Sequence, residues 1–529
     1  MKQNRSFDRL DLLLSAALGL LSLALYVRTL VPWLLPGDSG EFQVLAHQVG
    51  IAHTTGYPVY MLLGKLFITL VPAGDVAYRV NLFSAFMAAV TIGLVYAAGR
   101  LATTSRWGGL FAGLALMVSF TFWSQALIAE VYAIGAAFLA AVLVALLAWA
   151  RTGRPSALAA AGVCGGLGLG AHASVGILAP AVAIFLALHR SRWRASWKPA
   201  FAGALIGLAL YGLAFLAVDL HAPPANIFNA AYGPARSAWG LSAADLANPL
   251  ARIAFIAGGR QWRTALYPDP PGMLKKIADY GLKLSREFSL LTLLLALAGL
   301  VALIWRDWRL AALLGLGLIA QWLFYFNYHV GDIYVFYISG YLLIALLAGA
   351  GFAALARRLM PNVPGTCEVP GTWQRFAKII RPLLLIALTA AALQPVLTPN
   401  LPAVRKGEAP FLTAREYPAN AGTRYLRAEM ARIVEELEAD AIVFVDWNRL
   451  YPLYYAAQVD AGRFDLQFIE AKPRSEASGL ADSVIEFVAA RVDSRPIYSL
   501  NRLNELERAG FTFQPVSKGP LRLFKVQRK

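Results

Sequence analysis

Long apolar runs constrain this chain more than any other feature. Up to about residue 397, charged side chains are nearly absent from block after block, and beyond it they return at ordinary density. Only 15% of the 529 residues are charged and 58% are hydrophobic, against roughly 25% charged in a soluble protein. A helix that crosses a bilayer takes about 20 apolar residues. Runs of that kind are Leu12–Val31, Val80–Ala98, Trp107–Ile128, Val131–Ala150, Ala157–Gly170, Ser174–Leu188, Phe201–Val218, Phe288–Trp305, Leu310–Phe326, Ile333–Ala356 and Pro382–Leu397. The pattern predicts a polytopic α-helical membrane domain over 1–398 and a small soluble α/β domain over 399–529. About eleven crossings are expected.

The short links between runs set the sidedness. Lys2, Arg5 and Arg9 precede the first run, and Arg100, Arg106, Arg306, Arg309, Arg357 and Arg358 recur in alternate links. The opposite links carry Glu130, His172, and "NYHVGD" with His329 and Asp332. Basic links stay inside, so the N-terminus is expected in the cytoplasm and the C-terminal domain outside, across a plasma membrane of the bacterial inner-membrane kind. The first run follows "MKQNR" like a signal peptide, but the runs behind it mark it as an uncleaved helix. Arg151 and Arg154 before the fifth and sixth runs, and Arg190, Arg192, Arg194 and Lys198 after them, predict a hairpin. The net charge of +17 is thereby assigned to membrane sidedness rather than to nucleic acid. Cys164 and Cys367 are the only cysteines, which excludes a disulfide framework and a cysteine-based metal site.

Two long outer segments, 32–79 and 219–287, mix aromatics, proline and glycine with apolar turns. They read as helices lying in the interface, anchored by Trp33, Tyr57, Tyr60, Tyr232, Trp239 and Trp262. In the soluble part, Tyr425, Leu426, Met430, Ile433, Val434 and Leu437 recur at helical spacing. "AIVFVD", "LQFIE", "PIYSL" and "LRLFKV" read as strands of a largely parallel sheet. No phosphate-binding glycine loop accompanies them. Asp446 and Trp447, ending the first strand, either line a crevice or begin the next helix, with Asp446 as its cap.

The first outer segment opens "PGDSGE" (36–41). Asp38 with Glu41 three residues later predicts a variant capping box at the head of the helix "FQVLAHQVGIA". A carboxylate so placed stays charged and is also a competent base. Polar company gathers on the same face: His53, Tyr57 and Lys65, then Arg79 and Asn81, then "FWSQALIAEVYA" with Glu130, then His172 between two glycine-rich runs. Such a set at one membrane face predicts a cavity opening outward.

In order, the motifs GDSGEF, AH-x-x-GYP-x-Y-x-LLGKLF, RVN-x-x-SA and FWSQA-x-x-AEVYA resemble the DUF2723 group, related to eukaryotic protein O-mannosyltransferases of the TMEM260 type in the GT-C glycosyltransferase superfamily. The likeness is strong over roughly 20–190 and weaker over "FNYHVGDIYVFYISGY". Where the family has two prolines, this chain has Thr54 and Thr55. The resemblance implies a GT-C-like bundle with interfacial helices in the first outer loop. It implies transfer of a sugar, mannose in the named relatives, from a polyprenyl-phosphate carrier to an acceptor hydroxyl of a protein or glycan. The acidic motif falls on Asp38 and Glu41, with His53, Arg79, Glu130 and His172 as further pattern residues.

Such a displacement needs a base near the acceptor and cations near the leaving phosphate. Asp38 is the expected base. Glu41 is expected to position the acceptor, support Asp38, or help hold a divalent cation, the one cofactor considered. Arg79, Arg260 and Arg263 are expected at the phosphate, the last two with lipid head groups as the competing role. His53, Tyr57, Lys65, Glu130, His172 and Asp332 complete the expected substrate-binding set. A transporter or lipid-linked-sugar flippase is the alternative, but it would carry its ionisable groups near the midplane and show internal repeats.

Overall fold

The computed structural model describes residues 7–359, 371–415, 417–473, 479–516 and 522–529. Lys2, Arg5, Cys367 and the first residue of "LRLFKV" lie outside the described residues. Helix α1 (Arg9–Arg28) starts on a capping box between Asp8 and Asp11. Helices α2 (Gly37–Gln48) and α3 (Pro58–Leu70) fill the first outer segment before α4 (Val76–Thr103). Then follow α5 (Arg106–Met117), α6 (Phe120–Gln125), α7 (Tyr132–Thr152), α8 (Pro155–Ala171), α9 (Ala179–Leu188) and α10 (Arg190–His221). The second outer segment holds α11 (Ala243–Ala247), α12 (Pro249–Ala257) and α13 (Pro270–Glu287). The bundle closes with α14 (Leu290–Phe326), α15 (Ile333–Phe336), α16 (Ile338–Leu359) and α17 (Gly371–Leu397).

Seven described helical segments are long and apolar enough to cross a membrane. They include α1, α4, α7, α10, α14, the stretch containing α16, and the stretch from Ile379. Trp107–Ile128, read as one crossing, is instead divided into α5 and α6. The break has a polar cause: Ser119 Oγ (2.5 Å) and the Thr121 amide (2.9 Å) donate to the buried carboxylate of Glu287. The runs expected at 288–305 and 310–326 form one 37-residue helix, α14, with non-helical torsions at Asp307. A straight helix of that length would measure about 55 Å, well beyond a hydrocarbon core of about 30 Å. The kink divides it into two arms.

Close backbone contact holds α14 to α16. A Cβ placed on Gly299 would lie 1.9 Å from Leu347 O, and one on Gly351 would lie 1.9 Å from Leu295 O. Small residues at these crossings let the helices approach. Gly299→Leu is therefore expected to remove most of the monodisperse peak on gel filtration. Gly212→Leu, with nothing within 4 Å of its Cβ position, should leave it intact.

The two ends of the bundle differ in chemistry. At one end Asp11, fully buried, accepts from Tyr96 (3.1 Å), Arg100 (3.0 Å) and Arg106 (2.9 Å). There too, Arg306 and Arg357 donate to Thr103 O, and Arg151 to Ala102 O. The other end carries α2, Glu130, His172 and Asp332. The outer segments are less superficial than expected. Tyr57, Tyr60 and Tyr232 are core residues at 7%, 0% and 1% exposure, because α2 and α3 are walled in on several sides. An apolar outer face does remain on α3 (Leu62, Leu66, Leu70) and α13 (Leu274, Ile277, Leu282).

After α18 (Leu401–Lys406) and α19 (Leu426–Glu436) comes a five-stranded sheet. Its strands are β1 (Ile442–Val445), β2 (Gln467–Glu470), β3 (Ile497–Ser499), β4 (Phe511–Pro515) and β5 (Phe524–Arg528), in the order β2-β1-β3-β5-β4. Strand β1 is parallel to β2 and β3, while β5 is antiparallel to β3 and β4. The sheet is thus mixed rather than largely parallel, because "FTFQP" forms an additional strand that turns back as a hairpin. Helix α20 (Trp447–Tyr454) follows β1 and is capped by Asp446, which accepts from the Asn448 amide at 3.1 Å. This unit does not hang free. One apolar cluster joins Leu45, Tyr60 and Val80 of the bundle to Met430, Tyr451 and Tyr455.

Candidate active site

Pro36, not Asp38, precedes the first turn of α2, and no side chain caps it. Asp38 lies inside the helix start, which corrects the capping-box expectation. The physical reason is a competing donor: Trp447 Nε1 donates to Asp38 Oδ1 at 2.7 Å. Asp38 still sits at the positive end of the helix dipole, and its side chain is 39% exposed. Gln43, one turn on, accepts from the Leu35 amide (2.9 Å) and donates to Asn81 (3.0 Å), whose own amide reaches Val31 O (2.7 Å). That network ties the motif to α4.

Glu41 is fully buried. Its carboxylate accepts from the His53 amide at 2.8 Å and faces His53 Nδ1 at 2.5 Å. The other ring nitrogen, Nε2, stands 3.8 Å from Asp38 Oδ2. A carboxylate–imidazole–carboxylate chain results. Burial disfavours charge on His53, but Glu41 and Asp38 together outweigh it and push the imidazole up. Burial pushes Glu41 up as well, and His53 opposes it.

Three further groups ring Asp38. Glu130 accepts from Ser39 Oγ at 3.0 Å, and burial, reinforced by Asp38, pushes it well above the usual carboxylate range. His172 caps the short turn Ala173–Leu178, its Nδ1 accepting from the Ser174 amide at 3.2 Å. Burial, then repulsion from His53, lowers it to about 4. The neutral ring therefore carries its proton on Nε2. Asp332 is open to the cavity, yet surrounding protein and then Asp38 raise it to about 6. It is protonated below that pH and charged above it. Asp332→Asn is expected to erase an inflection near pH 6 from the pH–rate profile, as steady-state rates at constant ionic strength would show.

Two cavities meet here. One, of about 620 Å³, is polar and lies between the bundle and the C-terminal unit, with Ser39, Glu130, Arg415, Glu429, Asp446 and Arg449 in its wall. The other, of about 540 Å³, is more apolar and is lined by His53, Tyr57, His172, Trp262, Arg263 and Tyr328. Asp38, Tyr132 and Asp332 border both.

Of the residues expected at the site, the fold brings together Asp38, Glu41, His53, Tyr57, Glu130, His172, Arg263 and Asp332. Lys65 is elsewhere, donating to His47 O at 2.7 Å. Arg79 stitches the α3–α4 turn through Ile68 O (2.8 Å) and Asp75 O (3.3 Å). Arg260 lies over the Phe255 ring at 6.0 Å and lines neither cavity. Sequence reasoning did not single out Ser39, Arg415 or Arg449. Ser39 lies within the motif, whereas the two arginines lack any local signal. Among the described residues, no group of three or more histidine, cysteine or acidic side chains is arranged to hold a metal ion.

Residues 38–196 match the model of the Protein O-mannosyl-transferase TMEM260 N-terminal domain. Over 115 residues the chain is 39% identical to the mouse (Mus musculus) Protein O-mannosyl-transferase TMEM260, covering 22% of this chain and 16% of that protein. Over 121 residues it is 29% identical to the Dictyostelium discoideum relative of that name, covering 22% and 15%. The matches thus span about a sixth of the relatives' length. Among solved structures, ArnT from Cupriavidus metallidurans bound to undecaprenyl phosphate superposes with a TM-score of 0.55 at 13% identity, covering 97% of both chains. Archaeal oligosaccharyltransferase AglB from Archaeoglobus fulgidus, in complex with an inhibitory peptide and a dolichol-phosphate, gives 0.56 at 12% identity, covering 93% of this chain and 69% of that one. The chain is a multi-pass membrane protein that shares the fold of ArnT and AglB, and its residues 38–196 are similar to the TMEM260 N-terminal domain.

Proposed function

We propose that this protein is a membrane glycosyltransferase that moves a sugar, mannose by analogy with the relatives' names, from a polyprenyl-phosphate carrier to a hydroxyl on a protein or glycan. The observation that carries the reading is the meeting of a polar and a more apolar cavity at Asp38. The apolar cavity suits a lipid-borne donor, and the polar one suits an acceptor reaching in beside the C-terminal unit. Asp38 takes the proton from the acceptor hydroxyl as its oxygen bonds to the anomeric carbon. The bond from that carbon to the phosphate oxygen breaks, and the polyprenyl phosphate leaves with the electron pair. Arg263 and the Nε2–H of His172 stand on the donor side, where negative charge develops. Glu41 acts through His53, holding it where it faces Asp38.

We also propose that the site faces outward from the cytoplasm, since the basic links gather at the other end. The C-terminal unit, about residues 399–529, then lies outside and helps receive the acceptor. Purified protein incubated with a panel of polyprenyl-phosphate sugars should consume at least one carrier, slowly by hydrolysis without acceptor and faster with it. Solute movement across vesicles without carrier consumption would replace this reading with a transporter.

A further inference from the structure

The base is not held by the membrane bundle alone. Trp447, the first residue of α20, donates its indole N–H to Asp38 Oδ1 at 2.7 Å. Its ring meets His53 edge-on at 6.0 Å and Tyr451 at 5.4 Å. Asp38 is thus gripped from a residue 409 positions away in sequence, and in another structural unit.

The rest of the contact is built to match. Trp447 sits just past the carboxyl end of β1, which has parallel neighbours on both sides, β2 and β3. Crevices at the carboxyl ends of parallel strands, where chain order reverses, are where α/β units place ligands. Here that edge is turned onto α2. The glycines of the acidic motif permit the approach. Gly37, at φ +62°, turns its Cβ position toward Asn448 Oδ1 (3.5 Å) and the Trp447 ring, and a Cβ on Gly40 would lie 2.4 Å from Leu35 O and 3.3 Å from Pro452 Cδ. At Gly37 the positive φ favours glycine, and at Gly40 a Cβ would clash with Leu35 O and crowd Pro452 of α20.

We infer that Trp447 is a positioning residue for Asp38, so that the C-terminal unit completes the catalytic centre as well as helping to receive an acceptor. The inference rests on the glycosyltransferase reading for its kinetic consequence, but not for the contact itself. With Oδ1 of Asp38 committed to the indole, Oδ2 stands 3.8 Å from His53 Nε2 in a residue that borders both cavities. Phenylalanine at 447 would keep ring packing and delete only the donor.

The test uses the full chain in detergent. Trp447→Phe should remain monodisperse, keep the donor KM within about two-fold, and lose about 10- to 100-fold in kcat, the effect of deleting one hydrogen bond to a charged group. Arg427→Ala serves as the comparison. Arg427 pairs with Asp75 and Asp460 at 2.6 Å each and so ties the same two units together without touching Asp38. It should retain near-wild-type kcat. Unchanged kcat in Trp447→Phe, or an equal kcat loss in Arg427→Ala, overturns the inference. A second readout needs no turnover and no folded Trp447 variant. In protein labelled with ¹⁵N-tryptophan, Asp38→Asn should displace one indole N–H resonance. If no indole resonance responds, the inference fails. If the resonance responds but wild type consumes no carrier, the glycosyltransferase reading alone fails.

Discussion

Asp38→Asn should abolish turnover while leaving the protein folded and inserted. A general base contributes about 10²–10⁴-fold, and no neighbour can replace this one. Glu41 is enclosed and engaged with His53, and Glu130 is buried and engaged with Ser39. Asparagine keeps the shape and can still accept from Trp447, so the packing of α20 on α2 survives. The measurement is carrier consumption per enzyme, with gel filtration and thermal midpoint checked alongside. Donor affinity should change little, because Asp38 acts on the acceptor side of the reaction.

Glu41→Gln should damage stability as well as rate. Removing one member of a buried ion pair typically costs about 3–5 kcal/mol, because the partner is left desolvated. Here the partner is His53, which also lies against Asp38. A histidine whose titration is raised in the folded state stabilises fully below its ordinary value, about 6.5. That contribution fades as pH rises through the raised value. Wild type should therefore lose thermal stability on the alkaline side, with a smaller alkaline fall in Glu41→Gln. The variant's midpoint should already be lower at pH 6. An unchanged midpoint there would contradict the coupling of Glu41 to His53.

Much of this site was legible in the sequence because its residues lie near the ends of apolar runs. Asp38, Glu130, His172 and Asp332 each stand where a helix starts or stops, and the alternation of basic and other links placed them on one face. What the pattern could not give was direction. Lys65 and Arg79 lie in the same outer segment as His53, yet their cations satisfy helix-end carbonyls, since α3 turns that side away from the cavities. Buried aromatics misled in a similar way. Tyr57 and Tyr60 have the composition of interfacial anchors, but α2 packs over them. Trp447 stood out only as the end of a strand. Its contact with Asp38 follows from how two units dock, and nothing in either local stretch encodes it. The hairpin partner β4 escaped notice because its outer residues, Gln514 and Pro515, are exposed and blur the alternation.

The central claim is that donor and acceptor meet at Asp38 from separate cavities. Its most direct test is a structure of Asp38→Asn trapped with a polyprenyl-phosphate sugar that wild type consumes. The lipid phosphate should lie in the cavity lined by His172 and Arg263, with the anomeric carbon toward residue 38. A carrier bound on the far side of the bundle, or a sugar held away from that junction, would contradict the account.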